Sequence, residues 1–396
     1  MKSKSIIVPL VLAMLAISPM AYGRLTQKAA IDTIVANSLR LKSLKAKGQA
    51  EYESAAYGAG LIADPEVEFE HLWGPYDNRK WNIGITQSFD WPGAYGKRKA
   101  AARAAHEAWS YLYSAEAADL RINAAEALAL ATYSAQRLAL LDSVCANMEK
   151  LQAYIDNGYR SGQLTILDVK KISLELFSVR AKIADIRQEQ NTVESELTAL
   201  NNGMPLDVET DSYMASPLLD RDVYMAYARD NNPRVNAQAA QSRAARAESE
   251  AMKTSRMPGF SVGYRHAFEE EIHFNGLAVG VTLPVYSRAR ALKAADLQIQ
   301  SALFEASAET VSAQSLIASE YDNAVNRRNQ LEGLSAVTLD ESYPSLLLMA
   351  YKGGQINVIT YIQELNYYLD ARFDYLDAEY RYRLSLIRLN RYNPAE

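Results

Sequence analysis

A chain of 396 residues with a formal net charge of −5 and a single cysteine already excludes several classes of protein. So mild a negative charge argues against nucleic acid as a partner. One cysteine, Cys145, rules out an internal disulfide. Abundant alanine and 25 tyrosines, with only 18 glycines and 12 prolines, suit long helices.

Lys2 and Lys4 precede the apolar run Ile6 to Ile17, and Ala21-Tyr22-Gly23 offers small residues where a signal peptidase cuts. Residues 1–23 therefore read as an export signal cleaved after Gly23. Cys145 lies far downstream of that site, so no lipid anchor is expected. Beyond Gly23 no run of about 18 apolar residues occurs, which excludes a helical membrane span but not a span built of strands.

The mature chain divides into two halves of one plan. In the first, residues 24–202, Thr26 to Tyr57 is helical. Strands are expected at about 65–73 and 81–91, with a polar tip from Gly74 to Lys80. Lys97 to Asn157 lacks glycine and proline and carries Leu141, Val144, Met148, Leu151 and Ile155 at coiled-coil spacing. About 61 residues at roughly 1.5 Å each make a helix of about 90 Å. A turn at about 158–163, with Gly158 and Gly162, leads into a helix over Leu164–Asn202. Residues 203–221, with Pro205 and Pro217, form a connector. The second half, residues 222–396, opens with a helical Asp222–Arg256 interrupted near its start by Pro233. Strands follow at about 259–268 and 276–285 with a tip from Glu269 to Asn275. A long helix from Arg288 to Met349 is expected to bend or break at Gly333 and Pro344. A turn at about 352–356 and a returning helix, Ile356–Tyr392, complete it. Tyr159-Arg160-Ser161-Gly162-Gln163-Leu164 matches Tyr351-Lys352-Gly353-Gly354-Gln355-Ile356 at an offset of 192, and Pro92 and Pro284 share that offset. Two landmarks with one spacing point to duplication.

The strands carry the functional signal. Val67, Phe69, His71 and Trp73 alternate with Glu66, Glu68, Glu70 and Leu72. Trp81, Ile83, Ile85, Gln87, Phe89 and Trp91 alternate with smaller or polar residues. Phe260, Val262, Tyr264, His266 and Phe268, then Leu277, Val279, Val281 and Leu283, repeat the pattern. Period two over such lengths fits a tilted bilayer span, with an apolar, aromatic-ended wall on one side and a polar wall on the other. A half-buried soluble sheet alternates too. In hydrocarbon, however, every backbone polar group needs a partner, and four strands cannot close on themselves. Copies of the chain must then associate, in a number that the residues alone leave open. Glu66, Glu68 and Glu70, with the Glu269-Glu270-Glu271 tip, would make one mouth acidic and favour cations, or would be no more than solvated charge on a watery wall.

Chemistry finds little support. His71, His106, His266 and His273 lack metal-ligand spacing, and no nucleophile elbow, phosphate loop or Cys/His signature occurs. No enzyme activity, cofactor or metal is expected. The tyrosines of the last helix (Tyr361, Tyr367, Tyr368, Tyr375, Tyr380, Tyr382) are expected to pack between helices.

A duplicated unit of strand hairpin, long helix, glycine turn and shorter helix resembles the TolC family of outer-membrane efflux proteins over the whole mature chain. The local motifs are Gln87-Ser88-Phe89-Asp90-Trp91-Pro92-Gly93 with Lys97-Arg98, Gly162 to Asp168, Val279 to Val285, and Tyr351 to Ile356. The Trp91-Pro92-Gly93 exit is similar to the branch that serves heavy-metal and other cation efflux. The resemblance implies a mainly α fold with a small membrane β portion: a homotrimeric twelve-stranded β-barrel in outer-membrane lipid, continued by a helical barrel in the periplasm. It implies a passive exit duct for drugs, metal cations or other cargo, driven by an inner-membrane transporter (RND or another class) through a periplasmic adaptor. Gly162, Gln163, Leu164, Gly353, Gly354, Gln355 and Ile356 would form tips that dock the adaptor. Tyr351 and Asp168 match the residues of a gate latch, although Asp168 could equally cap its own helix. Ile356 stands where an arginine completes that latch, and Thr360 and Gln363 stand where an acidic ring narrows the entrance, which implies a looser gate. The competing readings are a periplasmic adaptor, a coiled-coil scaffold, and an exit duct for type I protein secretion.

Overall fold

The computed structural model describes residues 24–74, 79–254, 256–269, 272–284, 289–338 and 342–393. The expected export signal, Arg288 and parts of both hairpin tips lie outside them. The elements run α1 (Gln27–Asn37), α2 (Leu39–Gly60), β1 (Glu66–Trp73), β2 (Arg79–Phe89), α3 (Pro92–Arg160), α4 (Ile166–Leu200), α5 (Arg221–Asp230), α6 (Pro233–Thr254), β3 (Gly259–Glu269), β4 (Ile272–Thr282), α7 (Ala289–Thr338), α8 (Tyr343–Lys352), α9 (Val358–Leu389) and a closing 3₁₀ turn, Asn390–Tyr392.

α3 sets the length: its 69 residues at roughly 1.5 Å each make a rod of about 100 Å. It starts earlier than the glycines and proline suggested. Pro92 sits at the first helical position, where its missing N–H costs nothing and its φ is already helical. The isolated glycines Gly93 and Gly96 do not stop it. Gly333 likewise lies inside a continuous α7, since one glycine costs only about 1 kcal/mol against a long helix. The break expected near Pro344 is present, with Pro344 in the first turn of α8.

Antiparallel to α3, the chain comes in pieces. α1 and α2 meet at Ser38, whose side chain accepts from the Leu41 N–H. α5 and α6 meet at Asn231-Asn232, where Asn232 Oδ1 accepts from the Arg234 N–H. The connector is tied to the start of the chain. Leu25 and Val208 form a parallel bridge, and Gln27 bonds Ser212 O and the Met214 N–H.

Side-chain size decides how the rods meet. Towards the sheet, α3 buries Ala94, Ala102, Ala108 and Ala115 where it packs between α2 and α6, and α6 buries Ala237 and Ala240. Small residues bring two helix axes to the short end of the packing range, about 8 Å. This is where the alanines go. Towards the turns, Leu141, Met148, Leu151 and Ile155 of α3 pack with Ile172, Leu176 and Val179 of α4, and with Tyr361, Leu365 and Leu369 of α9. Among the described residues no helix is long and apolar enough to cross a membrane.

Candidate functional site

The sheet is four-stranded and antiparallel throughout, in the order β1-β2-β3-β4. Its hairpins reach further towards their tips than the alternation suggested. Arg79 and Lys80, expected in a tip, pair with Trp73 and Leu72. Ile272 to Asn275, expected in the other tip, pair with Glu269 to His266. At the opposite end the expectation overshot: β2 stops at Phe89 because Trp91 already caps α3, and β4 stops at Thr282, short of Pro284.

Register assigns the two faces. Val67, Ile85, Tyr264 and Leu277 form one cross-strand row at mid-height, and His71, Trp81, Phe268 and His273 form another near the tips. This face is bare: Leu277 is 84 % exposed, Val279 79 % and Trp73 80 %. An uncovered apolar wall on this scale marks an interaction surface. The opposite face holds Glu66, Glu68, Glu70, Asn82, Gly84, Thr86, Gly263, Arg265 and Gly280. Glu68 pairs with Arg265 at 3.2 Å, Lys80 with Glu269 at 2.9 Å, and Asn82 donates to Glu70 at 2.8 Å. The acids there are partly compensated. Backbones approach closely on this side: a Cβ on Gly263 would sit 2.8 Å from the Ile85 carbonyl oxygen, whereas one on Gly276 would meet nothing within 4 Å.

Both long edges are open, because among the described residues β1 and β4 each pair on one side only. The helices repeat the pattern, with α2 against α3, α3 against α6 and α6 against α7. Apolar side chains stand uncovered on α4 (Leu174, Phe177) and on α7 (Phe304, Val311).

At the far end the two turns share one construction 192 residues apart. Gly162 adopts φ +78° and Gly354 φ +69°, a region that glycine enters without steric cost. The Gln163 N–H bonds the Gly158 carbonyl and the Gln355 N–H bonds the Ala350 carbonyl, while the N–H of Gly162 and of Gly354 bonds Tyr159 and Tyr351 respectively. These paired bonds are Schellman motifs. Thr165 then caps α4 and Asn357 caps α9.

Asp168 completes a capping box: its carboxylate accepts from the Thr165 hydroxyl at 2.7 Å and the Thr165 N–H at 3.1 Å. The Thr165 hydroxyl is the main cause holding this carboxyl below the usual aspartate range. Tyr351 is buried, edge-on to Tyr154 with ring centroids 6.0 Å apart and tilted against Tyr361 at 6.1 Å. Burial raises its phenol first, and the Asp168 charge adds to that. Tyr351, Asp168, Gly162's neighbours Ser161 and Gln163, Leu164, Gly354 and Ile356 line one cleft of about 520 Å³. Within the chain, the hydrogen bonds of Asp168 go to Thr165.

Sequence reasoning missed Tyr361 as more than packing. Its side chain is fully buried, its hydroxyl has no partner among the described residues, and burial pushes its pKa up to about 12. Tyr361→Phe is therefore expected to raise the thermal midpoint, since an unsatisfied buried hydroxyl costs about 1–3 kcal/mol. An unchanged or lower midpoint in a melting scan would mean the hydroxyl is bonded. The other tyrosines of α9 divide: Tyr368 stacks on Tyr343 and Tyr380 on Tyr133, while Tyr367 is exposed.

No family model and no curated protein matches the chain. Solved structures match it over nearly its full length. The outer-membrane channel OprN superposes with a TM-score of 0.73 at 13 % identity, covering 92 % of this chain and 89 % of that one. The outer membrane protein VceC of Vibrio cholerae gives 0.70 at 14 %, with 92 % and 95 % covered. The MtrE outer membrane channel of Neisseria gonorrhoeae, in its open state, gives 0.67 at 16 %, with 92 % and 88 % covered. The chain thus has the fold of the solved outer-membrane channels: mainly helical, with one small antiparallel sheet.

Proposed function

We propose that the chain is one subunit of an outer-membrane efflux duct, a homotrimer whose three sheets close into a twelve-stranded barrel above a periplasmic helical tunnel. The sheet carries this reading, since a bare apolar wall with two unpaired edges is stable in lipid only when copies complete it. The duct is passive. An inner-membrane transporter, RND or another class, drives cargo through it by way of a periplasmic adaptor. A periplasmic adaptor or a coiled-coil scaffold has no use for such a wall. Outer-membrane fractionation with unboiled gel mobility tests this: a detergent-extracted, heat-sensitive oligomer is expected, and a water-soluble monomer ends the proposal.

The tips Gly162–Leu164 and Gly353–Ile356 dock the adaptor, and their shared turn construction supports a common role. Tyr351 and Asp168 act at the gate. Asp168 is already engaged by Thr165, so the latch works through the carboxylate's remaining acceptor capacity and its charge on the buried phenol. On the polar wall Glu66, Glu68, Glu70 and Glu269 outnumber Lys80 and Arg265, which supports cation preference. The Trp91-Pro92-Gly93 exit supports metal cations among the cargo classes. Single-channel recording under a salt gradient reads the gate and the wall together. Tyr351→Phe is expected to raise conductance and antibiotic leakage, while the reversal potential reports cation preference. Unchanged conductance in Tyr351→Phe discards the latch, and an anion-selective reversal potential discards the acidic mouth.

A further inference from the structure

Three of the chain's four histidines lie on the sheet, all on its apolar face and all near the tips. Register makes two of them diagonal neighbours: His266 pairs with Asn275, and Phe268 pairs with His273. The result is a contact of 3.3 Å between His266 Nε2 and His273 Nδ1. Two nitrogens bound to one tetrahedral metal ion at about 2.0–2.1 Å lie roughly 3.3–3.4 Å apart.

The protonation state of His266 follows from its neighbour. Asn275 Oδ1 lies 2.9 Å from His266 Nδ1 and also receives the Tyr264 hydroxyl. An amide oxygen only accepts, so Nδ1 of His266 carries the proton and Nε2 is left with a lone pair facing His273. A ligating histidine with its other nitrogen held by an oxygen acceptor is the usual support around a metal. Trp81 and Phe268 flank the pair, with ring centroids 5.4 Å from His266 and 5.0 Å from His273. The nearby acid of described position, Glu269, belongs to the other face and pairs there with Lys80.

We propose that His266 and His273 form a two-nitrogen site for a borderline divalent metal ion of the Cu²⁺ or Zn²⁺ kind, with Asn275 orienting His266. Imidazole suits such ions. Binding requires only that His273 present its Nδ1 lone pair, its proton resting on Nε2, so no redox step or co-reactant is involved. Among the described residues no third His, Cys, Asp or Glu completes the set, so the two imidazoles are the ligands proposed.

The test uses the full chain in detergent micelles, titrated with Cu²⁺ while tryptophan fluorescence is followed. Trp81 beside the pair makes quenching the signature of this site. One saturable equivalent per chain is expected, lost in His266→Gln and in His273→Asn. Asn275→Ala is expected to weaken it by about 10–100-fold, as orienting partners do. Trp81→Phe should keep the equivalent by calorimetry and lose its quenching. Zn²⁺ should compete in the same titration. His273 is exposed, so His273→Asn alone carries the test should the His266 variant fail to assemble. Binding that is identical in wild type and His273→Asn overturns the proposal.

Discussion

Leu277→Arg is expected to remove the chain from the outer membrane as an assembled species. Leu277 lies at the middle of β4, in the row with Val67, Ile85 and Tyr264, and is 84 % exposed. If that face meets water, an arginine there is harmless, because exposed substitutions away from packed features fall within about 0.5 kcal/mol. If it meets lipid, a guanidinium at mid-depth costs about 2–4 kcal/mol in a barrel wall. Every copy in the assembly bears that cost, so the heat-sensitive band on an unboiled gel should vanish and the chain should appear in the periplasmic or aggregated fraction. A Leu277→Arg chain that assembles normally would contradict a lipid-facing wall.

Gly263→Val has the second large effect, for a different reason. The β2–β3 seam joins the two hairpins, and a Cβ on Gly263 would press within 2.8 Å of the Ile85 carbonyl oxygen and 3.3 Å of the Thr86 Cα. Both are backbone atoms, so no side-chain rotation relieves the clash. The strands must part. Overpacked sites typically lose about 1–3 kcal/mol where the surroundings give way, and a paired backbone gives way less than a side chain. Gly276→Val is the control, since the space beside Gly276 is open. Protease resistance of the extracted oligomer should fall in the first variant and persist in the second. Equal resistance in both would show that β2 and β3 are not paired in this register.

The two faces of the sheet were legible from residue order, because in a strand parity alone assigns a side chain to a face. Val67 and Leu277 needed no structure to be put on one wall. Strand ends were harder. Arg79 and Lys80 look like tip residues until their partners are known, and Ile272 and Phe274 hid behind a run of glutamates. The start of α3 was obscured by Pro92, Gly93 and Gly96, residues that read as breakers in isolation but are tolerated in the opening turns of a long helix. Asp168 illustrates a limit of motif transfer. The spacing Thr165-x-x-Asp168 already spelled a capping box, and the geometry gives the carboxylate that task. The histidine pair was invisible for a physical reason. Ligand-spacing rules describe residues on one helix or loop, whereas His266 and His273 meet across a hairpin whose register depends on how short the tip is.

The small residues buried on α3 and α6 bear on the evolution of the duct proposed above. In a closed ring, the girth at any height is the sum of its seams, and each seam recurs in every copy. In the duct proposed above, a valine or leucine at the buried Ala102 or Ala240 would overpack its helix contacts in every copy and splay the wall at that height. In a homotrimer such substitutions would be amplified by symmetry. The bore of the proposed duct would be held at this level by the smallest chiral side chain available.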